Sequence, residues 1–423
     1  MKIFLFSLVV LMLLLGCGGS KPDIAVESAE KQVKLSLDSA KIYREIGDLY
    51  SERANYNLAI EFYEKAIKLN PDYAEAYGGM GVAYRFKFDW NKAIRYYERA
   101  IELKPDWASM YSNIGEVYIH KEDYEKAIEY CKKAIEIDSL GVGAYLNMGV
   151  AYRNKMDYDT AIKYYEKTIK LEKSEIDAID AYFNIGNLYF HMGNFEKSME
   201  LYNKVIKINP NYYSAYSGIG SIHFANKNYE MAIDYYKKSI LLAPNEVHPH
   251  KMLGYSYYEN NNYKKAIEYF EKAIYMRSAY TDADKLPIYF SLGIAYEKVE
   301  DYDVAIIYTE KALELKPNNA LLYNNLGWFH AKKQNWDVAL EYCQKSIELE
   351  PDAYTYHSLG YIYAGKKNWN KAIEHYKKSL ELRPDHANTY YDMGEAYEGK
   401  GDKAKAMEFK KKAKALDKTL DIK

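Results

Sequence analysis

The sequence predicts an all-α solenoid built from about eleven copies of a helix-turn-helix unit. Three observations carry this. A glycine recurs at 47, 81, 115, 149, 186, 220, 254, 293, 327, 360 and 394, with spacings of 34, 34, 34, 37, 34, 34, 39, 34, 33 and 34 residues. Fixed offsets recur with it: Tyr four before in ten copies (His250 is the exception) and Ala twelve after in ten copies (Ser198 is the exception). Tyrosine supplies 48 of 423 residues against 13 Phe and 5 Trp, a surplus that a tyrosine-bearing unit copied many times produces. A period of roughly 20–50 residues is the mark of stacked repeats, each unable to bury its apolar face alone.

Composition sets the outer limits. With 48% hydrophobic and 28% charged residues, the chain has enough apolar surface to fold. Its 58 basic and 60 acidic residues give a net charge of −2, so no basic excess exists to grip nucleic acid or an anionic lipid surface.

The N-terminus reads as a processing signal. Met1-Lys2 precedes an apolar run, Ile3 to Leu15, interrupted only by Ser7. That run is shorter than the ~20 residues a spanning helix needs. It ends in Leu14-Leu15-Gly16-Cys17, which resembles the bacterial lipobox, Leu-x-Gly-Cys. The resemblance implies a signal peptide over 1–16 and lipidation of Cys17, with 17–23 as the tether. It implies a lipid-anchored protein of the bacterial cell envelope, since acyl chains in combination give stable anchoring. Gly18, not Asp, follows the cysteine. This favours the periplasmic side of the outer membrane in a diderm, and the outer face of the plasma membrane in a monoderm. Residues 24–39 are expected to form a helix capping the array.

Units begin near residues 40, 74, 108, 142, 179, 213, 247, 286, 320, 353 and 387. In each, aromatic, apolar and Gly positions three or four apart mark one face of a first helix. A polar turn follows, such as Lys87-Phe88-Asp89 or Glu122-Asp123, and then a second helix with small and aromatic positions at the same spacing. Pro71, Pro105, Pro210, Pro244, Pro317, Pro351 and Pro384 close seven copies, because Pro cannot continue a helix. The pattern resembles the tetratricopeptide repeat over about residues 40 to 418. That resemblance implies a right-handed superhelix with the first helices lining a concave groove. Insertions near Ile176-Asp177-Ala178 and Thr281 to Lys285 divide the array into 40–175, 179–280 and 286–418. Lys410-Lys411-Lys412 in the last copy predicts a solvated final helix.

Little points to catalysis. No phosphate loop, nucleophile elbow or Cys/His metal pattern occurs, so no enzyme activity, cofactor or metal is expected. His248 and His250 are two apart and do not share a helix face, and His250 stands in a tyrosine slot. Cys131 and Cys343 occupy one slot six units apart, too far to bridge.

The groove is the functional candidate. Counting from each unit's first residue, Asn113, Asn147, Asn184 and Asn325 stand at position 6, three of them in consecutive units. A carboxamide offers a donor and an acceptor, and so matches a peptide bond without reading a side chain. The arrangement resembles the asparagine ladder of the repeat superhelix in O-linked N-acetylglucosamine transferases. Beside it stand Arg85 and Arg153 at position 12, with Glu116 and Asn187 at position 9. Further along come aromatic residues: Phe183, Phe190, Phe224, Tyr255, Tyr258, Phe290, Trp328, Tyr354, Tyr361 and Tyr391. Exposed aromatic surface of that extent marks an interface. The chaperone-type two-carboxylate clamp is not matched, because Arg44, Asp48, Gly79, Ser109 and Asn113 fill its positions.

The sequence therefore predicts a membrane-anchored scaffold that holds an extended peptide or protein segment in its groove, in assembly or localisation of an envelope complex. Alternatives are a targeting arm related to the glycosyltransferase repeats, and a structural protein that associates with itself through the aromatic half.

Overall fold

A computed structural model describes residues 39–276 and 282–420. Cys17, the signal segment, the tether and all of the expected capping helix except Ser39 lie outside the described residues.

Among the described residues there are twenty-two helices and no strand. They form eleven pairs: α1 Ser39–Glu52 with α2 Tyr56–Leu69, α3 Ala74–Phe86 with α4 Trp90–Leu103, α5 Ala108–His120 with α6 Tyr124–Ile137, α7 Val142–Asn154 with α8 Tyr158–Leu171, and α9 Ile179–His191 with α10 Phe195–Ile208. These five belong to one compact unit, which ends at Pro210. The second unit starts at Asn211 and holds α11 Tyr213–Ala225 with α12 Tyr229–Leu242, α13 Val247–Glu259 with α14 Tyr263–Tyr275, α15 Asp282–Lys298 with α16 Tyr302–Leu315, α17 Ala320–Lys332 with α18 Trp336–Leu349, α19 Ala353–Gly365 with α20 Trp369–Leu382, and α21 Ala387–Gly399 with α22 Lys403–Leu416. Each unit is an all-α solenoid. Within each, first helices of successive pairs touch one another directly, as α5 and α7 or α17 and α19 do. That places the first helices on the tighter, inner side of the stack.

Local chemistry fixes every turn. The N-cap of each second helix is Asn or Asp, and in every pair but the ninth its side chain accepts the backbone N–H three residues on; Asp89 accepts that of Lys92 at 3.2 Å. Such a cap is worth about 1 kcal/mol. The residue before it is left-handed, with φ of 59° at Phe88 and 62° at Met156. Only Gly193 and Gly401 meet this geometry with glycine, so the other copies hold an L-residue there at a cost of about 1–2 kcal/mol.

The recurring glycine and tyrosines then lock each pair. Position 8 lies on the side chain at position 24: a Cβ at Gly149 would come within 2.5 Å of the Tyr165 ring, and one at Gly254 within 2.6 Å of Phe270. Position 11 stacks flat on position 23 in ten pairs, for example Tyr84 on Tyr96 at 5.3 Å and Tyr363 on His375 at 5.2 Å. Each such stack adds about 0.5–1.5 kcal/mol beyond the area it buries. Lysines roof the outer rings, as Lys92 does Tyr84 at 4.9 Å.

Successive pairs are keyed to one another in two ways. Lysines after the first helices reach back to the preceding second helix: Lys121 to Asn91 at 2.7 Å, Lys155 to Glu125 at 2.5 Å, and Lys333 to Asp303. These are exposed, and each is worth little alone. The aromatic residue at position 17 packs on position 13 of the next pair. Trp90 stacks on His120 at 4.8 Å, and Trp369 lies 2.7 Å from where a Cβ at Gly399 would stand. Trp336 fills the equivalent space over Gly365.

Two sequence expectations change. Asp282 to Lys285, read as part of an insertion, belong to α15, which is 17 residues long and carries Pro287 inside it. The insertion near 176–178 is a turn tied by Ser174 Oγ to Asp177 Oδ2 at 2.7 Å. Lys410 is not a solvated residue. Its stem occupies the position-24 slot against Gly394, its side chain is 11% exposed, and its ammonium pairs with Glu395 and Glu398. Lys411 and Lys412 do face solvent.

Candidate functional site

The described residues of the first unit line an open cavity of about 650 Å³ between the third and fourth pairs, with polar and apolar walls. Helix α5 contributes Ser112, Asn113, Glu116 and Ile119, and α7 contributes Gly143, Leu146, Asn147, Val150 and Arg153. His120, Glu122, Tyr124 and Asn154 form its mouth at the turn end. Positions 5, 6, 9 and 12 converge here because they lie on one face of a helix, the face that flanks the 8/24 contact.

The structure separates the predicted ladder into three different situations. Asn113 is half-buried and has no hydrogen-bond partner within the described chain. Asn147 Nδ2 donates to Ser112 O at 3.1 Å and Ser112 Oγ at 3.2 Å, so its amide joins pairs 3 and 4 and only Oδ1 is free. Asn184 Oδ1 accepts from Arg153 Nη1 at 3.4 Å, which leaves its Nδ2. Asn325 lies on α17 in the second unit, half-buried.

The two arginines, equivalent in sequence, also differ. Arg85 pairs with Glu116, position 12 to position 9 of the next pair. Arg153 has no carboxylate within ion-pair distance among the described residues. The residue that could have supplied one, at position 9 of pair 5, is Asn187, whose Oδ1 accepts the Tyr202 hydroxyl at 2.6 Å.

That last contact belongs to a pattern the sequence reading missed. Where position 9 is polar it takes up the phenol at position 24: Asp48 with Tyr63 at 2.8 Å, Asn187 with Tyr202, and Ser221 with Tyr236 at 2.9 Å. Where position 9 is Val82 or Val150, the hydroxyls of Tyr97 and Tyr165 are buried without a partner. Burial pushes the Tyr165 phenol up to about 12.

The aromatic series needs correction. Of those ten residues only Tyr354 is exposed, at 46%, and even it sits edge-on to His386 at 5.5 Å beneath the Arg383 guanidinium. At position 12, Phe190 packs on Phe195 at 5.5 Å; Phe224 and Tyr258 set edge to face on Tyr229 and Tyr263 at 5.6 and 5.3 Å. Phe183 lies 5.6 Å from Tyr202, and Tyr255 is edge-on to Phe270 at 5.0 Å. Trp328 Nε1 donates to Glu297 at 3.0 Å, and the Trp328 and Tyr361 rings lie 5.0 Å apart beneath the Lys332 ammonium. These rings mostly join helices; they do not form an open apolar face.

The remaining candidates are structural. His250 is buried and its Nδ1 meets Glu246 O at 2.8 Å, while His248 is exposed. Cys131 and Cys343 are buried free thiols, each pushed up to about 12 by burial and so unreactive as nucleophiles. No cluster of three or more metal-ligating side chains occurs among the described residues. No described helix is long and apolar enough to cross a membrane.

Profiles of the tetratricopeptide repeat match residues 38–106, 108–139, 142–174, 179–212, 213–246, 246–318, 320–353 and 351–419. The chain belongs to the tetratricopeptide repeat family. Comparison with the curated proteins returns no match. Among solved structures, the TPR chain is similar to a tetratricopeptide repeat protein from Parabacteroides merdae, at 16% identity and TM-score 0.50, over 61% of this chain and 99% of that one. It is also similar to YrrB, a TPR protein with an unusual peptide-binding site, at 26% identity and TM-score 0.39, over 45% and 96%. Pseudomonas aeruginosa PilF aligns at 18% identity and TM-score 0.42, over 50% and 95%. The TPR fold is a protein-interaction scaffold, and the matched family is not a catalytic one.

Proposed function

We propose that this TPR protein is a lipid-anchored adaptor of the bacterial envelope that holds an extended segment of a partner protein against α5 and α7. The single observation that supports this most is the cavity between pairs 3 and 4, where the unpartnered Asn113 amide and the free Asn147 Oδ1 face the same space. A backbone presents one donor and one acceptor per residue, and an extended strand presents them outward for such groups. The anchor rests on the sequence Leu14-Leu15-Gly16-Cys17.

Two experiments test the two halves. A photo-crosslinking residue placed at 113 in cells should give a discrete adduct that one placed at Lys163, on the outer face of α8, does not. Equal labelling from both positions removes the groove reading. Cys17→Ser should move the protein from the membrane to the soluble fraction; unchanged fractionation removes the anchor.

A further inference from the structure

We infer that this groove selects a segment carrying an acidic side chain, read by Arg153. The inference rests on the groove reading and names the chemistry of what the groove takes. Arg85 and Arg153 hold the same position in their repeats, yet only Arg85 is neutralised within the fold, by Glu116. Arg153 lines the cavity with a single long hydrogen bond, 3.4 Å, to the neutral Asn184. A guanidinium has five N–H donors, so most of its hydrogen-bonding capacity points at nothing in the described chain.

The surroundings make that charge effective. Leu146, Val150 and Ile119 form the cavity wall beside it, which excludes water from one side and strengthens a charge pair relative to open solvent. Of the two carboxylates that line the cavity, Glu116 is already paired with Arg85, and Glu122 stands at the exposed mouth, where solvent screens it. Asn113 and Asn147 lie on the same face, so an acidic side chain that reaches Arg153 leaves its own backbone beside the two amides. The fork of Arg153 fits a carboxylate in the bidentate manner. An internal Asp or Glu suits this better than a chain terminus, because the amides call for backbone to continue past the charged residue.

The test uses the whole chain and a set of twelve-residue peptides of Ala, Ser and Leu, acetylated and amidated. Each position in turn carries Glu, Gln or Lys, and a parallel set has a free C-terminal carboxylate. Binding is read by fluorescence anisotropy. At one position Glu should bind about tenfold or more tightly than Gln, with Lys weakest. Arg153→Gln should abolish the preference for Glu over Gln, and Arg153→Lys should retain part of it, with unchanged far-ultraviolet circular dichroism in both. Equal affinity of the Glu and Gln peptides for the wild type overturns the inference and leaves the groove reading standing. So does a preference that survives Arg153→Gln, or one shown only by the free C-terminus. If no peptide of any series binds, the groove reading and the inference fall together.

Discussion

Gly149 lies flat on the ring of Tyr165, so close that a methyl group on Gly149 would stand 2.5 Å from Cε1 and 2.6 Å from Cδ1. The ring has no room to retreat, because Tyr165 is itself fully buried between α7 and α8. Gly149→Ala should therefore destabilise the first unit by about 1–3 kcal/mol through overpacking. Gly143→Ala is the control. It lies in the first turn of the same helix, is exposed, and its Cβ would meet only Ser112 Oγ at 3.5 Å. That change should stabilise by about 0.5–1 kcal/mol. Denaturant unfolding of the two variants checks both signs.

The phenols at position 24 should respond in opposite directions to loss of their hydroxyl. Tyr165→Phe removes a buried, unpartnered O–H and should be neutral or stabilising, by up to about 1 kcal/mol. Tyr202→Phe strips Asn187 Oδ1 of its donor and should cost about 1 kcal/mol. A loss of equal size in both variants would mean that the Tyr165 hydroxyl has a partner after all.

Seven of the nine histidines lie in the second unit, and four of them, His223, His250, His330 and His375, fill tyrosine slots against aromatic rings. Burial holds all four below the ordinary histidine value, with nearby lysines adding to this at His330, His375 and His250. His330 Nδ1 and His375 Nδ1 have no partner, so a proton placed there has nothing to bond. The folded state thus binds fewer protons than the unfolded chain. The stability these histidines provide is complete above about pH 6.5 and falls as pH drops below it through their depressed values. His120 and His191 of the first unit are exposed. Hydrogen exchange on the whole chain should therefore show protection in 211–420 falling between pH 7.5 and 5.5 while 39–210 changes less; equal loss in both would refute the assignment.

The unit starts and the helix pairing were legible because they repeat, whereas the contact of position 8 with position 24 emerged only from the structure. Gly at one offset in all eleven copies, with Tyr four before it in ten and Ala twelve after it in ten, fixes one face on each helix of the pair. The left-handed turn residue was not legible, since Phe88, Met156 and Lys367 carry none of the usual glycine signal. The ladder was legible in position but not in availability. Whether Asn147 faces a ligand or Ser112 depends on how α7 sits on α5, and no single-helix pattern encodes that. The position-12 aromatics misled for a similar reason. Their direction places them against position 17 of their own pair, where they shield the turn from solvent. One further signal was present in the sequence: Trp336 and Trp369 are each followed, 29 and 30 residues later, by a glycine that makes room for them.

That match between Trp and Gly limits how the array can change. Pair 10 carries both halves of the key, Gly365 facing back and Trp369 facing forward. Copying it in place would reproduce a junction that already fits. Moving pair 8 behind pair 9 would press Trp336 onto Lys298, which has a side chain where Gly365 has none. The modules share a fold without being interchangeable, so the order of the array is itself an inherited trait, and lengthening by tandem copying is open at some junctions and closed at others.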